Sequence, residues 1–315
     1  LRRGLITGLW MGHETGTMIS STRFADLNWD RLRRSCVGYV QIDQPAMTGT
    51  SVWHLHTTDD IQSYGIRQTR AIVGDAPIHW VRQQKNGDSS FFGVGLPGIT
   101  GLTSFTDEEI NRTALASLGW WHHSIHNTID MVDRDLMALH LRVYANWLWG
   151  LMTSPILPYE YTPLGRNFAQ RLEELHRTTI PGIDLDSVLA AARDFHDLTR
   201  ALDAASDTWT ARLAERPADG ERAAALLNDA KIRLSRGLVP VASTVTGAYG
   251  QDRYGHAWQT QMIPTLVAHT RLAGYAPDSE EYQTWWGTAV RARNRVADAL
   301  DDANRMLRET LAQLG

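Results

Sequence analysis

Three short stretches of the chain carry the side chains best suited to polar chemistry. Gly12-His13-Glu14-Thr15-Gly16 follows the apolar run Leu5 to Trp10, and Asp43 follows the apolar run Val37 to Ile42. Farther on, Trp120-Trp121-His122-His123-Ser124-Ile125-His126 crowds three histidines into one loop ahead of a helix. Carboxylates and imidazoles converging from strand ends are the donor set of a zinc-type divalent ion, which takes neutral nitrogen and anionic oxygen at about 2.0 to 2.2 Å. In an open sheet, the strand ends border the crevice where ligands bind. Each stretch also has a plainer reading. Glu14 can cap the helix that follows, Asp43 can end a strand in a turn, and Trp120 and Trp121 can simply pack. Cys36, at the entrance of an apolar strand, reads as a small core residue. The sequence contains no Gly-x-Ser-x-Gly elbow and no phosphate-cradling glycine loop, which sets aside the commonest serine-nucleophile and nucleotide sites.

Positioning these residues requires alternating strands and helices. Short apolar runs at Leu5 to Trp10, Val37 to Ile42, Val52 to Leu55 and Leu96 to Leu102 predict four strands. Between them, helices are expected over Ser20 to Arg34 and from Thr58 or Asp59, as cap, to about Val73. A strongly apolar helix follows at Leu136 to Met152. This order predicts an α/β unit with a mostly parallel sheet and flanking helices, thin enough that part of the sheet is expected from elsewhere. Pro155, Pro158, Pro163 and Gly165 then break the pattern. Beyond them, Val188, Phe195, Leu198, Leu202, Trp209 and Leu213 make one stripe on a long helix capped near Asp186 or Ser187. A shorter helix around 219 to 236, an irregular stretch from Gly247 to Pro264, and a second long helix from about Ser279 complete an all-α bundle. The expected division is residues 1–160 and 161–315.

Composition narrows the function classes. The chain has 315 residues, 31 Lys and Arg against 35 Asp and Glu, and a net charge of −4, so it lacks the basic footprint of a nucleic-acid binder. One cysteine excludes an internal disulfide framework and suits a cytoplasmic setting. No apolar run is long enough for a membrane-spanning helix. Leu1 opens directly into an apolar run, which is expected where residues before it are missing or where the chain is a processed or separately encoded subunit.

Taken in order, the segments resemble the C-terminal half of the zinc-dependent aminopeptidase and glutamate carboxypeptidase family. The helical part more loosely resembles the dimerisation domain shared by glutamate carboxypeptidase and transferrin receptor. The matching stretches are Trp10-Met11-Gly12-His13-Glu14-Thr15-Gly16 with Ser20-Ser21-Thr22, then Tyr39-Val40-Gln41-Ile42-Asp43, then Gly87-Asp88-Ser89-Ser90-Phe91-Phe92 with Gly95-Leu96-Pro97-Gly98-Ile99. Last come His123-Ser124-Ile125-His126-Asn127-Thr128 and Asp130-Met131-Val132-Asp133. The run is collinear over residues 1 to about 160.

The resemblance implies that Glu14 and His123 bind one divalent metal ion and Asp43 a second, with zinc the expected element and one or two ions bound. It places His13 where the family has its glutamate general base; an imidazole can take that proton, become a further ligand, or mark an inactivated site. Asn127 replaces the usual aspartate behind His123, which bears on how that ligand is oriented. His122, His126 and Trp121 become candidates for orienting the ligand or touching substrate. The family's other two ligands, a His and a bridging Asp, lie upstream of the matched part, so a second polypeptide carrying the N-terminal half is expected to supply them. The expected activity is hydrolysis of a small amide or a peptide by metal-activated water, in a heteromer that also dimerises through the helical domain. The alternative is a non-catalytic scaffold of the transferrin-receptor type.

Overall fold

The computed structural model describes residues 1–13, 18–178, 183–216, 220–254 and 261–314, apart from the side chains of residues 268 and 269. The first part contains α1 (Ile19–Leu27), α2 (Trp29–Ser35), β1 (Tyr39–Gln41), β2 (Val52–Thr57), α3 (Gln62–Val73), β3 (Ile78–Arg82), β4 (Gly98–Ser104), α4 (Asp107–Arg112) and α5 (Arg134–Thr153). The second contains α6 (Thr162–Arg177), α7 (Asp186–Glu215), α8 (Glu221–Ser243), α9 (Val267–Arg271) and α10 (Glu280–Leu314). Strand order is β1-β4-β2-β3. β1 runs parallel to β4 and β2 parallel to β3, while β2 and β4 are antiparallel. The molecule is thus a mixed α/β structure with an open, mostly parallel sheet and a helical region after it.

Strand alternation decides which side chains face the helices. In β2, Trp53, Leu55 and Thr57 are buried, and His54 and His56 point to the other face. Ile99 of β4 joins Trp53 and Leu55 in a core closed by Tyr64 of α3 and by Val143, Tyr144 and Trp147 of α5. Tyr64 donates its hydroxyl to the Trp147 carbonyl at 2.7 Å, and the Trp147 indole donates to Thr69 Oγ1 at 3.1 Å. This core continues without a break through α6, α7, α8 and α10. Buried polar groups cross the same junction: Asp59 accepts from Arg82 at 2.9 Å and from Asn167 at 2.7 Å, and Ser235 donates to Asp60 at 2.7 Å.

Several expectations change. Leu5 to Trp10 forms no strand; among the described residues no strand pairs with it, and Leu5, Ile6 and Leu9 are exposed. A strand needs a neighbour to satisfy its backbone groups, so apolar residues alone do not make one. The helix expected over Ser20 to Arg34 divides at Asn28, whose side-chain amide donates to the Phe24 carbonyl at 2.9 Å, an interaction that competes with helix continuation. β3, α4, α6 and α9 are additions to the expected elements, and α8 runs seven residues beyond Arg236, through Pro240. Among the described residues, no helix is long and apolar enough to cross a membrane.

Candidate functional site

The sheet face turned away from α3 and α5 forms the floor of a cavity of about 400 Å³. Gln41 of β1, Thr100, Leu102 and Ser104 of β4, and His54 and His56 of β2 supply the floor. Register puts Gln41, Thr100 and His56 in one row across three strands and Leu102 beside His54 in the next. His13, Asp43, His122 and His123 also line the cavity. Four of the residues singled out by type and spacing, His13, Asp43, His122 and His123, therefore meet in space, although they come from widely separated segments.

His13 is gripped from one side. Its Nδ1 lies 3.1 Å from Asp88 Oδ2, and its Nε2 lies 3.5 Å from Asp43 Oδ2. An ionised carboxylate only accepts, so at 3.1 Å the Asp88 contact takes a proton from Nδ1, while Nε2 faces a second acceptor, Asp43, and the cavity. Asp88 is itself buried and accepts from Ser21 Oγ at 2.8 Å. Ser21 and Ser90 hydroxyls are 2.8 Å apart, and Lys85 Nζ donates to Ser90 Oγ at 3.2 Å and to Gln251 Oε1 at 2.8 Å. Burial pulls the Lys85 ammonium down to about 8, against the pull of Asp252, Asp88 and Asp26. The loop that carries Asp88 can lie this close only because residue 87 is glycine. Gly87 has φ +51°, and a Cβ there would sit 2.1 Å from Gln41 Nε2 and 3.3 Å from Asp43 Oδ2.

The opposite rim is the histidine loop. His122 and His123 stack with ring centroids 3.8 Å apart, and the Gln44 amide lies 2.9 Å from His122 Nδ1. His123 has φ 56°, and Gln44, the residue after Asp43, has φ 49°. Both are non-glycine residues in left-handed backbone, a conformation also taken by Met18, Ala46, Ala114, Leu115 and Ile263. Trp121 and His126 stand outside the cavity lining: Trp121 is buried edge-on to Phe105, and His126 is exposed beside Trp120. Glu14 lies outside the described residues.

The donors present match a borderline divalent ion in kind: one carboxylate, Asp43, and imidazoles at His13, His122 and His123. Among the described residues, no group of three or more such side chains is close enough to hold an ion unaided.

Sequence reasoning missed Asp88, His54, His56 and Thr100. Burial pulls His56 down to about 4, and burial followed by the neighbouring His79 lowers His54, so the charged form of each ring is disfavoured. The strict alternation in Val52-Trp53-His54-Leu55-His56-Thr57 was the available signal for that pair. Asp88 stands in the Gly87-Asp88-Ser89-Ser90-Phe91-Phe92 stretch quoted above, where it was given no role. Compared with known proteins, the chain matches no family model and no curated sequence.

Proposed function

We propose that this chain is the site-bearing subunit of a heteromeric, metal-dependent hydrolase that cleaves a small amide or a peptide bond. The observation that carries the reading is the convergence of His13, Asp43, His122 and His123 on one cavity above the sheet, with Asp88 behind His13. Asp43, His123 and Glu14 would hold a zinc-type ion, one or two in number, which when bound supplies Lewis acidity toward the carbonyl and lowers the pKa of water. His13 Nε2 takes the proton from the attacking water and returns it to the leaving nitrogen. Asp88 keeps that imidazole in the competent tautomer and balances the charge it gains.

The heteromer rests on surface features. Leu5, Ile6, Leu9 and Met11 form an exposed apolar stretch, Leu9 at 90% exposure, and among the described residues the outer edge of β1 is unpaired. Uncovered apolar surface beside an open strand edge suits a partner chain, which would also supply the ligands this one lacks. Dimerisation is assigned to the helical region, 161–315. The single, half-buried Cys36 accords with a cytoplasmic setting.

The test is metal analysis of the assembly purified without chelator, beside native mass spectrometry. We expect about one or two equivalents of zinc or a similar ion per copy of this chain and a copurifying polypeptide. Asp43→Ala and His123→Ala should each cut metal affinity by at least about 100-fold while the assembly stays intact, because each removes a direct ligand. An assembly with no stoichiometric metal would turn the assignment toward a non-catalytic scaffold.

A further inference from the structure

The floor of the cavity holds polar groups that the hydrolytic reading does not use. Thr100 is 5% exposed, lines the cavity from the middle of β4, and its Oγ1 has no hydrogen-bond partner among the described residues. A buried hydroxyl without a partner is uncommon, because nothing repays the hydration it has lost. Across the β2–β4 register, Thr100 lies opposite His56, and Leu102 lies opposite His54. The His54 ring is stacked on His79 of β3, with centroids 5.3 Å apart and planes within 13°, so it is held as a flat surface. Leu102, Ile110 and Leu118 add apolar wall. At about 400 Å³, the space falls in the range used for small-molecule ligands.

We propose that this floor, with Thr100 at its centre and His54 and His56 beside it, is a recognition site for an uncharged aromatic ring bearing a polar hydrogen-bonding substituent. The ring lies against the flat imidazole and the leucine wall; Thr100 Oγ1, sealed from solvent in the free chain, turns toward the substituent and takes it as the partner it lacks. A carboxylate is disfavoured because burial works against charging either imidazole, the cation-forming groups among the described residues of this floor. The inference concerns binding and does not rest on the hydrolytic reading, so either can fail without the other.

The probes are 4-methylphenol, toluene and 4-methylbenzoate, titrated at neutral pH into the full chain as purified. Binding is followed through the imidazole resonances of His54 and His56, assigned by single His→Gln replacements. We expect 4-methylphenol to shift both resonances and to bind about fivefold to tenfold more tightly than toluene, the value of one hydrogen bond, with 4-methylbenzoate weakest. Thr100→Val, which keeps side-chain shape, should erase the advantage over toluene and leave toluene binding unchanged. Thr100→Ser, which keeps the hydroxyl, should restore it. Unperturbed imidazole resonances, equal affinity for the phenol in wild type and Thr100→Val, or tighter binding of 4-methylbenzoate would each overturn the proposal.

Discussion

Replacing Asp88 by Asn should lower kcat for amide hydrolysis by about 100-fold to 10,000-fold, and by nothing further once His13 is gone. The size follows from what a buried carboxylate does for a catalytic imidazole elsewhere, where loss of the charge at unchanged geometry costs about 10⁴. Here His13 Nδ1 is 3.1 Å from Asp88 Oδ2, and Asp88 is anchored by the Ser21 hydroxyl at 2.8 Å. In either orientation the side-chain amide of the Asp88→Asn variant no longer carries the charge that stabilises an imidazolium. In one of them it also donates to Nδ1, forcing the proton onto Nε2 and removing the lone pair that faces the cavity. His13→Ala should cost about as much on its own, consistent with general-base contributions of about 10² to 10⁴. The informative quantity is the cycle. If Asp88 acts through His13, the double variant should be as active as His13→Ala alone, since residues that work as a unit are strongly non-additive. Asn is isosteric with Asp, so thermal unfolding of the single variant should stay close to wild type. Full additivity, or an Asp88→Asn enzyme within about threefold of wild type, would mean that Asp88 does not act through His13, and a His13→Ala enzyme within about threefold would remove His13 from the base role.

What was readable in the sequence depended on whether a signal was local. Val52 to Thr57 announces a half-buried strand because its apolar and polar residues alternate, and the long stripes of α7 and α10 repeat at helical spacing. The start of α6 was hidden by Pro163 and Gly165, which read as breakers. Pro163 stands in the first turn, where a missing amide costs no hydrogen bond. Gly165 serves packing, since a Cβ there would lie 2.6 Å from Thr199 Oγ1 and 2.8 Å from the His196 Cα on α7. Leu5 to Trp10 misled in the opposite sense, because strand formation depends on a neighbour that composition does not reveal. Three of the stretches chosen for chemistry do meet at one cavity, but their second partners were out of reach. Asp88 contacts His13 across 75 positions of chain, and Thr100 is notable only for a bond it does not make.

Lys231 should make the chain more stable as pH rises from about 8 to 10.5, the reverse of the usual alkaline trend. Its ammonium sits at the junction between the sheet region and the bundle, 2% exposed, and donates to the carbonyls of Leu157 at 2.9 Å and Tyr159 at 2.8 Å. Burial pulls it from 10.5 down to about 8, while Asp203, Glu160 and Asp207 pull weakly the other way. Between those pH values the unfolded chain binds a proton that the folded chain has released, so unfolding becomes harder as pH rises. Below about pH 8 both states carry the charge and the full cost of burying it is present; above 10.5 that cost is gone. The difference amounts to about 3 kcal/mol, at about 1.36 kcal/mol per pH unit. Buried tyrosines act in the opposite direction. Burial holds Tyr159 and Tyr161 well above their usual range, so they subtract stability once unfolded tyrosines ionise near 10. Comparison with Lys231→Met removes that shared background. Urea unfolding of the two proteins at intervals from about pH 7.5 to 10.5 should show wild type gaining on the variant by about 1 kcal/mol per unit in the middle of the range. A constant difference would mean that Lys231 titrates as an exposed lysine and that its two carbonyl partners, which draw the 157–159 segment onto α8, are held by something other than a desolvated amine.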